Sequence, residues 1–60
     1  MISVVIPLYN KEASIAQSLK SVLSQEYDDF EVVIVDDGST DGSVGVVEAM
    51  NDPRIRLIKL

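Results

Sequence analysis

The sequence contains neither cysteine nor histidine. Without cysteine the chain has no disulfide bond and no thiolate zinc site, and without histidine it has no imidazole for metal binding or acid–base catalysis. Its 60 residues form one domain at most, and a domain of that size buries only about 60% of the surface that its unfolded chain exposes. Apolar packing alone must hold the fold, so we expect marginal stability.

Basic residues are scarce as well, because five Lys and Arg stand against ten Asp and Glu, for a net charge of −5. The negative net charge repels phosphate backbones, which argues against nucleic-acid binding and against a polybasic membrane patch. The apolar run near the start, residues 4–8, is far shorter than a membrane span of about 20 residues, and no basic segment precedes it. We expect a cytoplasmic, already mature segment in which an anionic ligand needs a bridging cation.

Apolar periodicity predicts an alternating order of strands and helices. The predicted elements are strands over residues 2–6, 30–35 and 54–60 and helices over residues 11–25 and 41–50. In the third strand Ile55 and Leu57 are expected to point inward, and the orientation of Ile58 is left open. The order predicts parallel strands joined by right-handed crossovers, with the second strand central and the strand order 3-2-1.

Right-handed crossovers would place both helices on one face of this sheet and leave the other face without cover. Val33 and Val35 point to one side of the second strand while Val32 and Ile34 point to the other, so two large aliphatic side chains would face water. Burying each of them is worth about 1.5 to 3 kcal/mol, a large share of the stability of a small domain. We therefore expect a truncated chain, or a partner that covers this face.

Ligands of open α/β sheets bind outside the carboxyl ends of the strands, which are followed by residues 7–12 (the first loop) and 36–42 (the second loop). The first loop has no glycine, which argues against the phosphate-binding turns of nicotinamide, flavin and Walker-type proteins. Tyr9 offers a ring for stacking a nucleobase, and Asn10 and Glu12 can hydrogen-bond a base or a ribose. The structural alternative is that Tyr9 is a half-buried anchor and Asn10 a helix cap.

The second loop begins with Asp36 and Asp37 at the end of the central strand. A carboxylate there can accept a hydrogen bond from a base N–H or a ribose hydroxyl. Alternatively, Asp36 satisfies amides of the turn while Thr40 or Asp41 caps the second helix.

A calcium-binding EF-hand is a competing interpretation of the second loop. Asp37, Ser39, Asp41 and Glu48 would fall on ligand positions of such a loop, and Gly42 on its turn glycine. An EF-hand needs an entering helix, however, and the preceding residues FEVVIV are typical of a strand. We therefore disfavour calcium binding.

Residues 3–25, SVVIPLYNKEASIAQSLKSVLSQ, and residues 30–43, FEVVIVDDGSTDGS, together resemble the opening of family 2 glycosyltransferases. The resemblance covers almost the whole chain and implies the βαβαβ Rossmann-like half of a GT-A nucleotide-diphospho-sugar transferase fold. Residues 1–60 would then be the N-terminal nucleotide-binding part of a truncated glycosyltransferase domain.

The resemblance also implies roles for residues of the two loops. Pro7 and Tyr9 would line the nucleobase pocket, with the Tyr9 ring against uracil, and Glu12 would lie near the ribose or base. Asp37, with Asp36 beside it, would hold the base edge, and which of the two makes the contact is left open.

Two functional elements of the family have no counterpart among these residues: the Asp-x-Asp motif that holds a divalent metal, and the later acidic general base. Neither Asp36 nor Asp37 is that metal motif. The resemblance thus implies Mn²⁺ or Mg²⁺ bound by ligands outside this segment, no catalytic or metal-binding residue within it, and no activity of the isolated 60 residues.

The resulting hypothesis is a polysaccharide-biosynthesis enzyme that transfers a sugar from a nucleotide-sugar donor, with a UDP-sugar expected, to a glycan or lipid acceptor. It would act in the cytoplasm, at or near the inner face of the membrane. The alternative hypothesis is a non-catalytic α/β module that docks onto a partner through its exposed valine face. Dimerisation without nucleotide affinity would favour that alternative.

Overall fold

The computed structural model describes residues 1–25 and 29–60. Its elements are β1 (Ile2–Leu8), α1 (Ile15–Leu23), β2 (Phe30–Asp36), α2 (Ser43–Met50) and β3 (Ile55–Lys59). The strands form one parallel sheet in which β2 lies between β1 and β3. The predicted βαβαβ arrangement is confirmed, and the predicted order 3-2-1 is the observed order counted from the β3 edge.

Both helices pack on the same face of the sheet, as right-handed crossovers require. Val32 and Ile34 of β2 are fully buried under them, whereas Val33 and Val35 point the other way and are only half-buried. The buried core consists of Leu8, Ile15, Leu19, Phe30, Val32, Ile34 and Val47. Leu19 from α1 and Val47 from α2 thus contribute to one core with the alternate residues of β2.

The opposite side of the sheet, which we call the open face, carries Ser3, Val5, Pro7, Glu31, Val33, Val35, Arg56 and Ile58. The strand register places Val5 beside Val33 and Ile58 beside Val35. Val5 is 64% exposed and Ile58 is 43% exposed. Within the described residues, β2 is therefore covered on one face only, and Ile58 points away from the helices.

Strand β1 continues through Pro7 to Leu8, two residues beyond its predicted end. The Leu8 carbonyl accepts a hydrogen bond from the Asp37 N–H at 3.0 Å, so the backbone of Leu8 points toward β2. Backbone groups of successive strand residues alternate in direction, and the missing N–H of Pro7 therefore lies on the side away from β2. The proline breaks no hydrogen bond between β1 and β2, which explains why the strand does not stop there.

The helices begin later than predicted, at Ile15 instead of residue 11 and at Ser43 instead of residue 41. Before α1 the chain makes a turn in which the N–H groups of Ser14 and Ile15 both donate to the carbonyl of Lys11. Helix α2 ends at Asn51, which has the left-handed φ of 49° common at helix ends. In the described part of the chain, neither helix has the length and apolar character needed to cross a membrane.

Candidate functional site

The two loops begin side by side because β1 and β2 are parallel neighbours. Leu8 pairs with Asp36 in the strand register, and Tyr9 and Asp37 are the next residues along each chain segment. The hydrogen bond from the Asp37 N–H to the Leu8 carbonyl joins the two segments at this point. The fold therefore brings the first and second loops, separated by almost thirty residues of sequence, to one edge of the sheet.

Asn10 connects the first loop to the second. Its N–H donates to Ser39 Oγ at 3.0 Å, and its Oδ1 accepts from the N–H of Thr40 at 2.8 Å. Asn10 has a φ of 50°, a left-handed conformation that asparagine tolerates better than most residues. The alternative in which Asn10 caps the first helix is wrong, because α1 begins five residues later and the amide is used across the loops.

A second set of contacts runs in both directions between the loops. The Lys11 N–H donates to Ser43 Oγ at 2.8 Å, and the Glu12 N–H donates to Asp41 Oδ2 at 3.2 Å. In return, the Gly42 N–H donates to Glu12 Oε1 at 2.6 Å. These bonds satisfy amides in the segment where a helix was predicted, which is why that segment can remain a turn.

Asp41 links the loops and also stabilises the start of α2. Its Oδ1 accepts hydrogen bonds from the N–H of Ser43, at 2.9 Å, and from the Ser43 hydroxyl. The Ser43 hydroxyl is the main reason that the pKa of Asp41 is lowered. Burial opposes this shift, and the backbone N–H groups of Ser43 and Glu12 lower the pKa further. The cap residue of α2 is Gly42, so Asp41 is not the predicted cap itself. It bonds the first amide of the helix from the preceding position, and Glu12 supplies a second carboxylate at the same helix end.

The two adjacent carboxylates of the second loop differ in their surroundings. Asp36 is only 5% exposed, and its Oδ1 accepts from the Ser39 N–H at 3.3 Å. The structure thus supports the alternative in which Asp36 satisfies a turn amide. Asp37 is exposed, and its carboxylate has no hydrogen bond or ion pair within residues 1–25 and 29–60. Of the two, Asp37 is the carboxylate that a ligand can reach.

Pro7 comes just before Leu8, the last residue of β1, and Tyr9 comes just after it. Tyr9 is 56% exposed, so a ligand can reach it from solvent, although this value does not exclude the half-buried anchor of the structural alternative. Pro7 is exposed on the open face, next to Val35 in the register. The loops therefore present Tyr9 and Asp37 to solvent, while Asn10, Glu12 and Asp36 use side-chain oxygens within the protein.

Ser39 and Ser43 are the residues of this region that the sequence did not reveal. Each hydroxyl accepts a hydrogen bond from a first-loop amide, and the partners are 29 and 32 residues apart. No local pattern identifies pairs at such separations. The only available signal was the high density of small polar residues in DDGSTDGS, which predicted a turn without indicating its partners.

The structure also tests whether the two loops could bind a metal ion. Within the described ranges, no group of three acidic side chains is arranged to hold a metal ion. The EF-hand interpretation is excluded by the fold, because the strand β2 precedes the loop where an entering helix is required. A concavity of about 620 Å³ lies between α2 and β3, and no residue of the two loops lines it.

The chain was compared with known proteins. Residues 3–60 match the family described as "Glycosyl transferase family 2". The glycosyltransferase GlyG of Streptococcus pneumoniae is 40% identical over 60 residues, which cover 97% of this chain and 20% of that protein. The succinoglycan biosynthesis protein ExoO of Rhizobium meliloti is 42% identical over 59 residues, covering 98% of this chain and 17% of that protein.

A third relative is the Escherichia coli protein WfgD, described as a UDP-Glc:alpha-D-GlcNAc-diphosphoundecaprenol beta-1,3-glucosyltransferase. It is 38% identical over 58 residues, which cover 97% of this chain and 23% of that protein. The chain therefore spans about a fifth of the length of these relatives. Its three parallel strands and two helices are consistent with the GT-A fold. Since the family match extends over nearly the whole sequence, the chain belongs to glycosyl transferase family 2.

Proposed function

We propose that this chain forms the nucleobase and ribose side of the donor site in a glycosyltransferase, which transfers a sugar from a UDP-sugar to a glycan or lipid acceptor. The observation that carries the proposal is the pair of ligand-accessible side chains, Tyr9 and Asp37, at the adjacent carboxyl ends of β1 and β2. This edge of an open α/β sheet is where nucleotides bind. Family membership adds the chemistry of glycosyl transfer.

The two exposed side chains suit the two features of a nucleobase. The Tyr9 ring provides a flat apolar surface against which a base can stack, and the Asp37 carboxylate can accept a hydrogen bond from a base N–H. Uracil has such an N–H group on its pairing edge. Asp36 is proposed as a supporting residue beside Asp37, because its own carboxylate is buried and bonded to the turn.

The remaining candidate residues are proposed to complete this wall of the pocket. Pro7 lies on the open face, two residues before Tyr9 in the sequence, and would border the base. Glu12 uses Oε1 to accept from Gly42, which leaves Oε2 available for a ribose hydroxyl. Asn10 would hold the backbone next to Tyr9 through its contacts with Ser39 and Thr40.

Relatives support the choice of donor and acceptor classes. The name of WfgD specifies UDP-Glc as donor and a diphosphoundecaprenol-linked sugar as acceptor, and that of ExoO specifies succinoglycan biosynthesis. By analogy we propose a UDP-sugar donor and a glycan or lipid-linked acceptor for the full-length protein. Such a reaction would take place in the cytoplasm at the inner face of the membrane.

The site is acidic, which bears on the diphosphate of the donor. Glu12, Asp36, Asp37 and Asp41 all lie at this edge, and a diphosphate beside them needs a cation to offset the charge. The described residues do not form a metal cluster. We propose that Mn²⁺ or Mg²⁺ is bound by ligands outside this segment, and we assign no chemical step to this chain's own residues.

The open face is proposed to be covered by the remainder of the catalytic domain. The exposed Val5 and Ile58 require burial of this kind in a stable protein. The same exposure favours the second candidate function, a module that docks onto a partner chain and binds no nucleotide. The two candidates differ in whether the loops recognise a donor.

Steady-state kinetics of the full-length protein with a panel of UDP-, GDP- and dTDP-sugars tests the proposal. We expect nucleotide release with a UDP-sugar, and a KM for the donor that rises at least about fivefold in Tyr9→Ala, because stacking of a base on an aromatic ring contributes about 1 to 3 kcal/mol. Asp37→Ala should also raise KM, and Tyr9→Phe, which keeps the ring, should stay close to wild type. An active enzyme whose KM is unchanged in both alanine variants would contradict the pocket assignment.

A further inference from the structure

The second loop supplies three consecutive residues, Asp41, Gly42 and Ser43, that hold two consecutive residues of the first loop. Ser43 Oγ accepts from the Lys11 N–H at 2.8 Å, Asp41 Oδ2 accepts from the Glu12 N–H at 3.2 Å, and the Gly42 N–H donates to Glu12 Oε1 at 2.6 Å. We call these three residues the loop clamp. Its bonds run in both directions, so a shift of either loop breaks several of them together.

Gly42 is the most restricted member of the loop clamp. A Cβ atom added to it would lie 2.9 Å from both Cδ and Oε1 of Glu12, so the flexible end of the Glu12 side chain would have to move away. Its φ of −83° is available to any residue, so the glycine is not needed for its backbone conformation. The absence of a side chain is instead required for the close approach of Glu12 to the helix terminus.

The other two members cannot act as ligand-binding groups in the observed arrangement. Ser43 is 0% exposed, and its hydroxyl is used by Lys11 and by Asp41. Both carboxylate oxygens of Asp41 accept hydrogen bonds from the protein. Any influence of these residues on a nucleotide must therefore pass through the position of the first loop.

We propose that the loop clamp is a positioning element that fixes the backbone following Tyr9 together with the side chain of Glu12, and thereby sets the nucleotide affinity of the donor site without itself touching the nucleotide. The inference rests on the proposed donor-site function. Lys11 and Glu12 are only two and three residues after Tyr9, and a preorganised loop binds more tightly because less conformational freedom is lost on binding. The loop clamp would hold the Tyr9 ring in place before the donor arrives.

The test compares two glycine substitutions in the full-length protein, one at Gly42 just before α2 and one at Gly45 within it, with UDP affinity measured by calorimetry. Gly42→Ala displaces the Glu12 side chain, whereas the Cβ in Gly45→Ala meets nothing within 4 Å. We expect Gly42→Ala to weaken UDP binding about two- to tenfold, the range that corresponds to one lost hydrogen bond. Gly45→Ala should bind UDP with the wild-type affinity.

Two further variants separate positioning from general destabilisation. Val47→Ala removes buried volume from α2, and it should lower the thermal unfolding midpoint while leaving the dissociation constant for UDP unchanged at temperatures where the protein is folded. In a Glu12→Ala background, Gly42→Ala should have no additional effect on affinity, since the side chain it displaces is already absent.

The possible outcomes separate a failure of the positioning role from a failure of the donor-site function. If the wild-type protein binds UDP and Gly42→Ala binds it equally well, the positioning role is wrong and the donor site stands. An equal loss of affinity in Val47→Ala would also overturn the positioning role, because stability alone would then explain the effect. A folded wild-type protein without affinity for UDP would overturn the donor-site function and, with it, this inference.

Discussion

Replacement of Ser43 by alanine tests the packing at the junction of the loops and α2. Ser43 is completely buried, and its hydroxyl accepts the hydrogen bond of the Lys11 N–H at 2.8 Å. Alanine removes this bond and the bond from the Ser43 hydroxyl to Asp41, and two lost hydrogen bonds lower the free energy of unfolding by about 1 to 3 kcal/mol. The higher helix propensity of alanine offsets about 0.5 kcal/mol of this loss. We expect a net loss of about 1 to 2 kcal/mol.

Urea unfolding of the full-length protein at neutral pH measures this loss. The matched control is Ser18→Ala, because Ser18 is an exposed serine within α1, and we expect its substitution to change the free energy of unfolding by less than about 0.5 kcal/mol. A loss in Ser43→Ala no larger than in Ser18→Ala would refute the role assigned to the buried hydroxyl.

Ser43→Ala should also change how the stability of the protein depends on pH. The Ser43 hydroxyl is the main cause of the lowered pKa of Asp41, so Ser43→Ala should raise that pKa toward the ordinary aspartate value, as followed by NMR of the carboxyl carbon during titration. A carboxyl with a lowered pKa in the folded state stabilises the fold above its unfolded pKa and loses this contribution as pH falls through the folded value. The stability difference between wild type and Ser43→Ala should therefore narrow on acidification.

Two substitutions test the core and the open face in the full-length protein. Leu19→Ala removes a fully buried side chain between α1 and the sheet, and urea unfolding should show a loss of about 2 to 5 kcal/mol, against less than about 0.5 kcal/mol for the exposed Gln17→Ala. Val5→Lys places a charge on the open face, and if that face is covered it should lower the thermal unfolding midpoint more than Gln17→Lys does. Equal midpoints for the two lysine variants would argue against a covered face.

The topology could be predicted from the sequence because it depends on local periodicity. Alternation along β2 separated Val33 and Val35 from Val32 and Ile34 without telling which pair faces the helices, and the order of elements indicated the parallel sheet and its helix-free face. The start of α1 could not be predicted in this way. Residues 11–14 were predicted as helix, but the amides of Lys11 and Glu12 are bonded to side chains about thirty residues away, and such tertiary contacts override local preference.

The sequence predicted which loops form the candidate site, but only in part which of their side chains are available to a ligand. Tyr9 and Asp37 are exposed where a ligand can reach them, as a binding role requires. Asn10 and Asp36 make the internal contacts of a folded turn in addition to any role toward a ligand. Sequence patterns identify polar loop residues, but they do not tell which oxygen is already bonded within the protein.

The central claim is that Tyr9 forms part of a nucleobase pocket, and the most direct measurement is a calorimetric titration of the full-length protein with UDP and Mn²⁺, repeated with Tyr9→Ala. The account predicts that wild type binds UDP and that the alanine variant binds it at least about fivefold more weakly, with an unchanged thermal unfolding midpoint in the absence of nucleotide. Equal affinity of wild type and Tyr9→Ala, or a folded wild-type protein that binds no UDP, would contradict it.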